Sequence, residues 1–207
     1  DFAKKRTTET FANVALNSYK KYGNTSPIIS IENPPAGGAF STGKELKEIV
    51  EMSRKKFVEQ AKKEGIGESE ARRQAEKLIG ATWDVGHINM LRKLGYGEKD
   101  IIKETEAIAP LVKHVHLSDN FGFEHTELPM GMGNVPMKKI MEKLGKEGYK
   151  GKKIIEALNW WQHFSPQGSA MNPPLKPTLE SFGSPVYSTG GGPYWNQTLG
   201  LQQGYSS

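Results

Sequence analysis

Apolar residues recur along the chain with two periods, and the alternation between them defines its elements. From Thr8 to Tyr22, Phe11, Val14, Ala15, Tyr19 and Tyr22 stand at helical spacing, and Gly23-Asn24 closes the segment. Pro27-Ile28-Ile29-Ser30-Ile31 then reads as a strand with Glu32 at its end. Asn33 to Gly38 holds two prolines and two glycines and is a loop. Ser41-Thr42-Gly43 introduces a helix carrying Leu46, Ile49, Val50, Phe57 and Val58; Gly65-Ile66-Gly67 breaks it, and Glu68 to Ile79 is a second amphipathic piece.

The next strand, Gly80 to Trp83, ends in Asp84, and Gly86 permits a sharp turn that brings His87 back over the same end. After Asn89 to Leu94 and a Gly95-Tyr96-Gly97 turn, a helix runs from about Asp100 to Ala109. Leu111 to Leu117 is the third strand, where period-2 alternation puts His114 and His116 on one face. A long loop from Ser118 passes through His125 and Gly131-Met132-Gly133 to a helix opened by Pro136. Lys152 to Ile155 is the fourth strand, ending at Glu156. An α, β, α, β order repeated in this way predicts a parallel α/β sheet with right-handed crossovers.

From about Ser165, Pro, Gly, Ser, Asn and Gln take over, and only Lys176 and Glu180 carry charge. Residues 1–164 therefore read as one α/β domain and 165–207 as an irregular tail, docked through Tyr187, Tyr194 and Trp195 if at all. The 28 Lys and Arg against 23 Asp and Glu give a net charge of +5. The lysines are interspersed with glutamates on helices, so a solvated mixed face explains the surplus better than a nucleic-acid surface. No run approaches the roughly 20 apolar residues of a membrane span, and no apolar segment backs the basic start, so a cytoplasmic protein is expected. The absence of cysteine excludes thiolate ligands and leaves His, Asp and Glu for any metal. The chain begins with Asp1, as a fragment or a processed product would.

Asp84 and His87 alone are as well explained by a capping carboxylate and a satisfied histidine. Their company changes the weighing. Four successive strands end in Glu32, Asp84, His116 and Glu156, and in parallel α/β folds those ends share the rim where ligands sit. Three carboxylates and one imidazole suit Mn²⁺, Co²⁺, Mg²⁺ or Zn²⁺.

Ile31-Glu32-Asn33-Pro34, Asp84-Val85-Gly86-His87, His114-Val115-His116-Leu117-Ser118-Asp119, Gly131-Met132-Gly133-Asn134-Val135 and Gly148-Tyr149-Lys150-Gly151 with Glu156 resemble the second half of the xylose isomerase-like TIM barrel superfamily. The resemblance covers about residues 26–159 and implies a (β/α)8 barrel of which four βα units are present. It also implies a metal-dependent sugar or sugar-phosphate isomerase or epimerase, with one divalent metal on Glu32, Asp84, His116 and Glu156. Glu32 and Glu156 would double as acid and base on opposite faces of the sugar, abstracting a proton next to a carbonyl through a metal-stabilised enediolate. His87 would contact a substrate oxygen, as would His125, while Asp119 contacts substrate or orients His116 or a loop.

The alternative within the superfamily is an endonuclease IV-like nuclease of apurinic sites, with DNA as partner and a zinc cluster. It looks similar at Glu32, Asp84, His87, His116 and Glu156 but carries an Asp-x-His pair where this chain has His125-Thr126-Glu127. His125 and Glu127 are then either ligands of a second metal or loop residues near the substrate. A third reading is a non-catalytic barrel with a vestigial metal site. A barrel takes roughly 200 to 250 residues, so four strands leave open sheet edges to be covered by a missing N-terminal half-barrel or by a second chain.

Overall fold

The computed structural model describes residues 2–157, so the 164/165 boundary and the 165–207 tail lie outside the described residues. Helix α1 spans Phe2–Tyr22 and starts well before the apolar spacing begins at Thr8. Its charged first turns are held on the surface, where Lys4 pairs with Glu48 at 2.6 Å and Arg6 lies near Glu9. A 3₁₀ turn, Gly23–Thr25, leads to strand β1, Ile29–Glu32.

Helix α2, Gly43–Lys63, starts where its chemistry dictates. The Thr42 hydroxyl accepts the Glu45 amide at 3.2 Å, and the Glu45 carboxylate accepts the Thr42 amide at 3.2 Å, satisfying two amides the helix itself leaves without partners. Helix α3, Glu68–Leu78, passes directly into β2, Ile79–Asp84, every residue of which is buried. A short helix α4, Val85–Asn89, and a 3₁₀ turn, Met90–Leu94, follow. Helix α5, Glu98–Ile108, leads through Ala109–Leu111 to β3, Val112–Leu117; α6, Met137–Lys146, precedes β4, Lys152–Ile155.

The four strands are parallel and lie in chain order, β1-β2-β3-β4. A doubly wound sheet reverses its order partway, whereas a barrel never does, so this sheet is an arc of a TIM barrel. One face is covered by helices: Ile31, Ala81, Trp83, Val115 and Leu117 pack with Leu46, Ile49, Phe57, Leu78, Ile101, Ile108 and Ile140 in one buried cluster. Trp83 is fully buried there, its indole N–H donating to Thr105 of α5 at 3.2 Å. Alternation sends Ser30, Glu32, Thr82, Asp84, His114 and His116 to the opposite face.

The register places the ligand-type residues obliquely. Glu32 is opposite Thr82, Asp84 opposite His116, and His116 opposite Ile154. Asp84 thus stands two residues further along than Glu32, and Glu156 two further than His116. Such a climb from strand to strand is the stagger that lets a sheet curl into a barrel.

Candidate metal centre

Glu32 and Asp84 are the last residues of β1 and β2, His116 is the last but one of β3, and Glu156 follows β4, its amide donating to the Leu117 carbonyl at 3.0 Å. The structure brings all four together. His116 Nδ1 lies 3.1 Å from a Glu156 oxygen, 3.4 Å from Glu32 and 3.9 Å from Asp84 Oδ2. His87 closes the other side, with Nδ1 3.6 Å from Glu32 and Nε2 3.8 Å from Asp84 Oδ2. Ligand-type atoms of Glu32, Asp84 and His87 lie within 4.8 Å of one another, as do those of Asp84, His116 and Glu156.

Asp84 Oδ2 and His116 Nδ1 are both buried and neither accepts or donates a hydrogen bond. Buried polar atoms without partners are costly, and two that converge on one point with two further carboxylates make a donor set that fits a divalent cation. The electrostatics agree. Burial pushes the Asp84 carboxyl up to about 6. The adjacent His116 imidazole holds Glu32 below its ordinary value, and Glu32 in turn raises His116.

The two oxygens of Asp84 have separate tasks. Oδ1 accepts the His87 amide at 2.8 Å and caps α4, while Oδ2 faces the cluster. Capping and ligation are therefore not rivals at this residue. Gly86 does not provide the sharp turn expected of it. It lies in α4, and its role is steric: a Cβ there would stand 2.2 Å from the Ser118 hydroxyl.

His87 is oriented by its Nδ1, 2.7 Å from the Asn33 carbonyl, which can only accept, so Nδ1 carries a hydrogen; in the neutral ring Nε2 then presents a lone pair. His125 Nε2 lies 2.7 Å from His87 Nε2 and donates to it when that ring is neutral, and it also lies 3.1 Å from Glu127. The His125 side of the loop is thus brought to the site.

Asp119 is placed differently. Its Oδ1 accepts the amides of Asn120 at 2.9 Å and Val135 at 3.0 Å, its Oδ2 accepts that of Gly131 at 2.9 Å, and its backbone pairs with Leu128. The side chain is saturated by its own loop. Sequence reasoning missed the residues that brace the site. Asn33 brackets Asp84, donating to its carbonyl at 3.0 Å and accepting its amide at 2.7 Å. Asn89 donates to Asn120 and Asn134, and Arg92 donates to Asn89, tying the turn after α4 to the loop after β3. The one signal available was asparagine just after β1 and β3, at Asn33 and Asn120, which a loop reading absorbs.

A parallel arc in chain order, with four acid and imidazole groups converging at its carboxyl-terminal rim, defines an α/β barrel with a candidate metal centre. The model of the xylose isomerase-like TIM barrel family matches residues 68–172, just over half of the chain, and the chain belongs to that family. Over 83 residues the chain is 32% identical to the uncharacterized protein MJ1311 of Methanocaldococcus jannaschii, an overlap of 40% of this chain and 27% of that protein. It spans about a quarter of the length of that relative. A crystal structure of a D-tagatose 3-epimerase-like protein is similar at 22% identity with a TM-score of 0.41, over 74% of this chain and 62% of that one. No helix among the described residues is long and apolar enough to cross a membrane.

Proposed function

We propose that the protein is a divalent-metal-dependent isomerase or epimerase of a sugar or sugar phosphate. The observation that carries this reading is the pair of buried atoms, Asp84 Oδ2 and His116 Nδ1, that complete no hydrogen bond and face Glu32 and Glu156. Glu32, Asp84, His116 and Glu156 would hold the ion, Mn²⁺, Co²⁺, Mg²⁺ or Zn²⁺. When bound, it supplies a positive charge against the negative charge that develops on neighbouring sugar oxygens. A proton next to a carbonyl is weakly acidic, and a carboxylate in hydrogen-bond reach of that carbon removes it. Glu32, kept ionised by His116, takes the proton in one direction, and the Glu156 carboxyl gives a proton of its own to the carbon from the other face. His87 Nε2 accepts a hydrogen bond from a sugar hydroxyl, in the place that His125 takes in this structure. Asp119 acts through the loop it organises. Strands β1 and β4 each pair on one side only among the described residues, and further strands of the same barrel or a second chain would cover them.

The test is an assay of the full-length protein, with Mn²⁺ or Co²⁺, against a panel of ketoses and their phosphates. Interconversion is expected, with a loss of about a hundredfold or more in Glu156→Gln. Unchanged turnover in that variant overturns the acid/base assignment.

The second reading, a nuclease acting at apurinic sites in DNA, is favoured by one observation. His87 and Glu127 lie 2.7 and 3.1 Å from His125 Nε2, which puts three ligand-type side chains in contact beside the first cluster. Metal content decides between them: one ion per chain supports the isomerase, and three zinc ions the nuclease.

A further inference from the structure

The chemistry proposed above leaves one imidazole of β3 without a task. His114 shares the open face of the sheet with His116, two residues on, and their ring centroids are 5.1 Å apart with planes at 83°. In register it stands between Thr82 on β2, whose hydroxyl donates to Ser30 at 2.7 Å, and Lys152 on β4. It therefore sits in the row beneath His116, flanked in register by Thr82 and Lys152.

His116 needs such a neighbour. The contacts of its Nδ1, 3.1 Å from Glu156 and 3.4 Å from Glu32, favour the nitrogen edge of the ring toward the carboxylates but leave the tilt of its plane unset. The terminal torsion of histidine is broad, so the plane swings readily about it. A ring that swings presents its nitrogen in line with the carboxylates only part of the time. A perpendicular ring 5.1 Å away restricts that swing through edge-to-face packing.

We infer that His114 is a positioning residue that sets the plane of the His116 ring, so that Nδ1 points in line into the metal centre. It acts by the packing of its ring, not by touching metal or substrate. The inference rests on the proposed metal site, and the experiment separates the two. Mn²⁺ is titrated into the full-length protein at fixed pH, with calorimetry for affinity and electron-spin-echo spectroscopy for the imidazole nitrogen coupled to the ion.

His114→Phe keeps a ring in place and is expected to bind within about twofold of the unsubstituted protein. His114→Ala is expected to bind about five- to tenfold more weakly and to alter the nitrogen coupling. His114→Leu fills the volume without a flat ring and gives the same result as Ala, which keeps the test open if the Ala variant folds poorly. Equal affinity and spectra in all three overturn the inference, as does a Phe variant as weak as Ala. No Mn²⁺ binding by the unsubstituted protein overturns the metal site and this inference with it. Binding that is insensitive to residue 114 overturns this inference alone.

Discussion

The Asn33 side chain holds both backbone polar groups of Asp84, accepting its N–H at 2.7 Å and donating to its C=O at 3.0 Å. The end of β1 thereby fixes the end of β2 from across the sheet. Asn33 is fully buried, and removing its carboxamide takes a hydrogen bond from each of these backbone groups. Asn33→Ala is expected to cost about 1–3 kcal/mol in urea unfolding, at about 0.5–1.5 kcal/mol for each hydrogen bond lost. It should also weaken divalent-ion binding, although Asn33 is not among the ligands. A variant as stable as the original would show that the clamp is idle.

Asp84 makes stability depend on pH in an unusual direction. Its carboxyl, ordinarily near 3.8, is pushed up to about 6 by burial. Between those values the folded chain holds a proton that the unfolded chain has released. Stability is therefore full below about 4 and is lost as pH rises through about 6, by about 3 kcal/mol for a shift of about two units. Asp84→Asn keeps an oxygen to cap α4 and removes the charge. In the metal-free state at pH 8 it is expected to be more stable than the original by about 2–3 kcal/mol and to bind no divalent ion. Denaturant midpoints at pH 4 and 8, after dialysis against a chelator, give the answer.

A divalent ion should reverse that penalty. At a hundred times its dissociation constant, an ion that binds only the folded state adds about 2.7 kcal/mol. A rise in thermal midpoint with Mn²⁺ is expected in the original and not in Asp84→Asn; an equal rise in both would place the ion elsewhere.

Gly86 tests the contact between α4 and the strand end beside it. An alanine Cβ would meet Ser118 Oγ at 2.2 Å and the Asn120 amide nitrogen at 3.1 Å. Gly86→Ala is expected to destabilise by about 2–3 kcal/mol. Ser118 Oγ has no hydrogen-bond partner, so Ser118→Ala sacrifices none and should recover much of the loss. A double-mutant cycle with no coupling between the two positions contradicts the contact.

Asp119 is predicted to matter for the loop and not for the ion. Asp119→Ala orphans the amides of Asn120, Gly131 and Val135. A loss of about 3 kcal/mol or more is expected, with Mn²⁺ affinity changed by less than about threefold, as measured by calorimetry.

Strand ends were legible in the sequence because their apolar runs are short and three of the four, those of β1, β2 and β4, stop at a carboxylate. Trp83-Asp84 and Ile31-Glu32 show the change within two positions. The cluster followed from topology, since a parallel sheet gathers such ends on one rim. What stayed hidden depends on contacts distant in sequence. The clamp by Asn33 reaches Asp84 across 51 positions, and no local period marks it. Gly86 resembles a turn residue because its constraint comes from Ser118, on another strand's end. The early start of α1 was obscured by charges that find partners only once α2 is alongside.

The oblique climb of Glu32, Asp84, His116 and Glu156 along the register has a consequence for folding. Each strand donates one member, and a slip of one residue in any pairing would turn that member to the helix-covered face. Affinity for a divalent ion is then a readout of alignment across all four strands at once. A misfolded chain with its helices intact would pass a test by circular dichroism and fail this one.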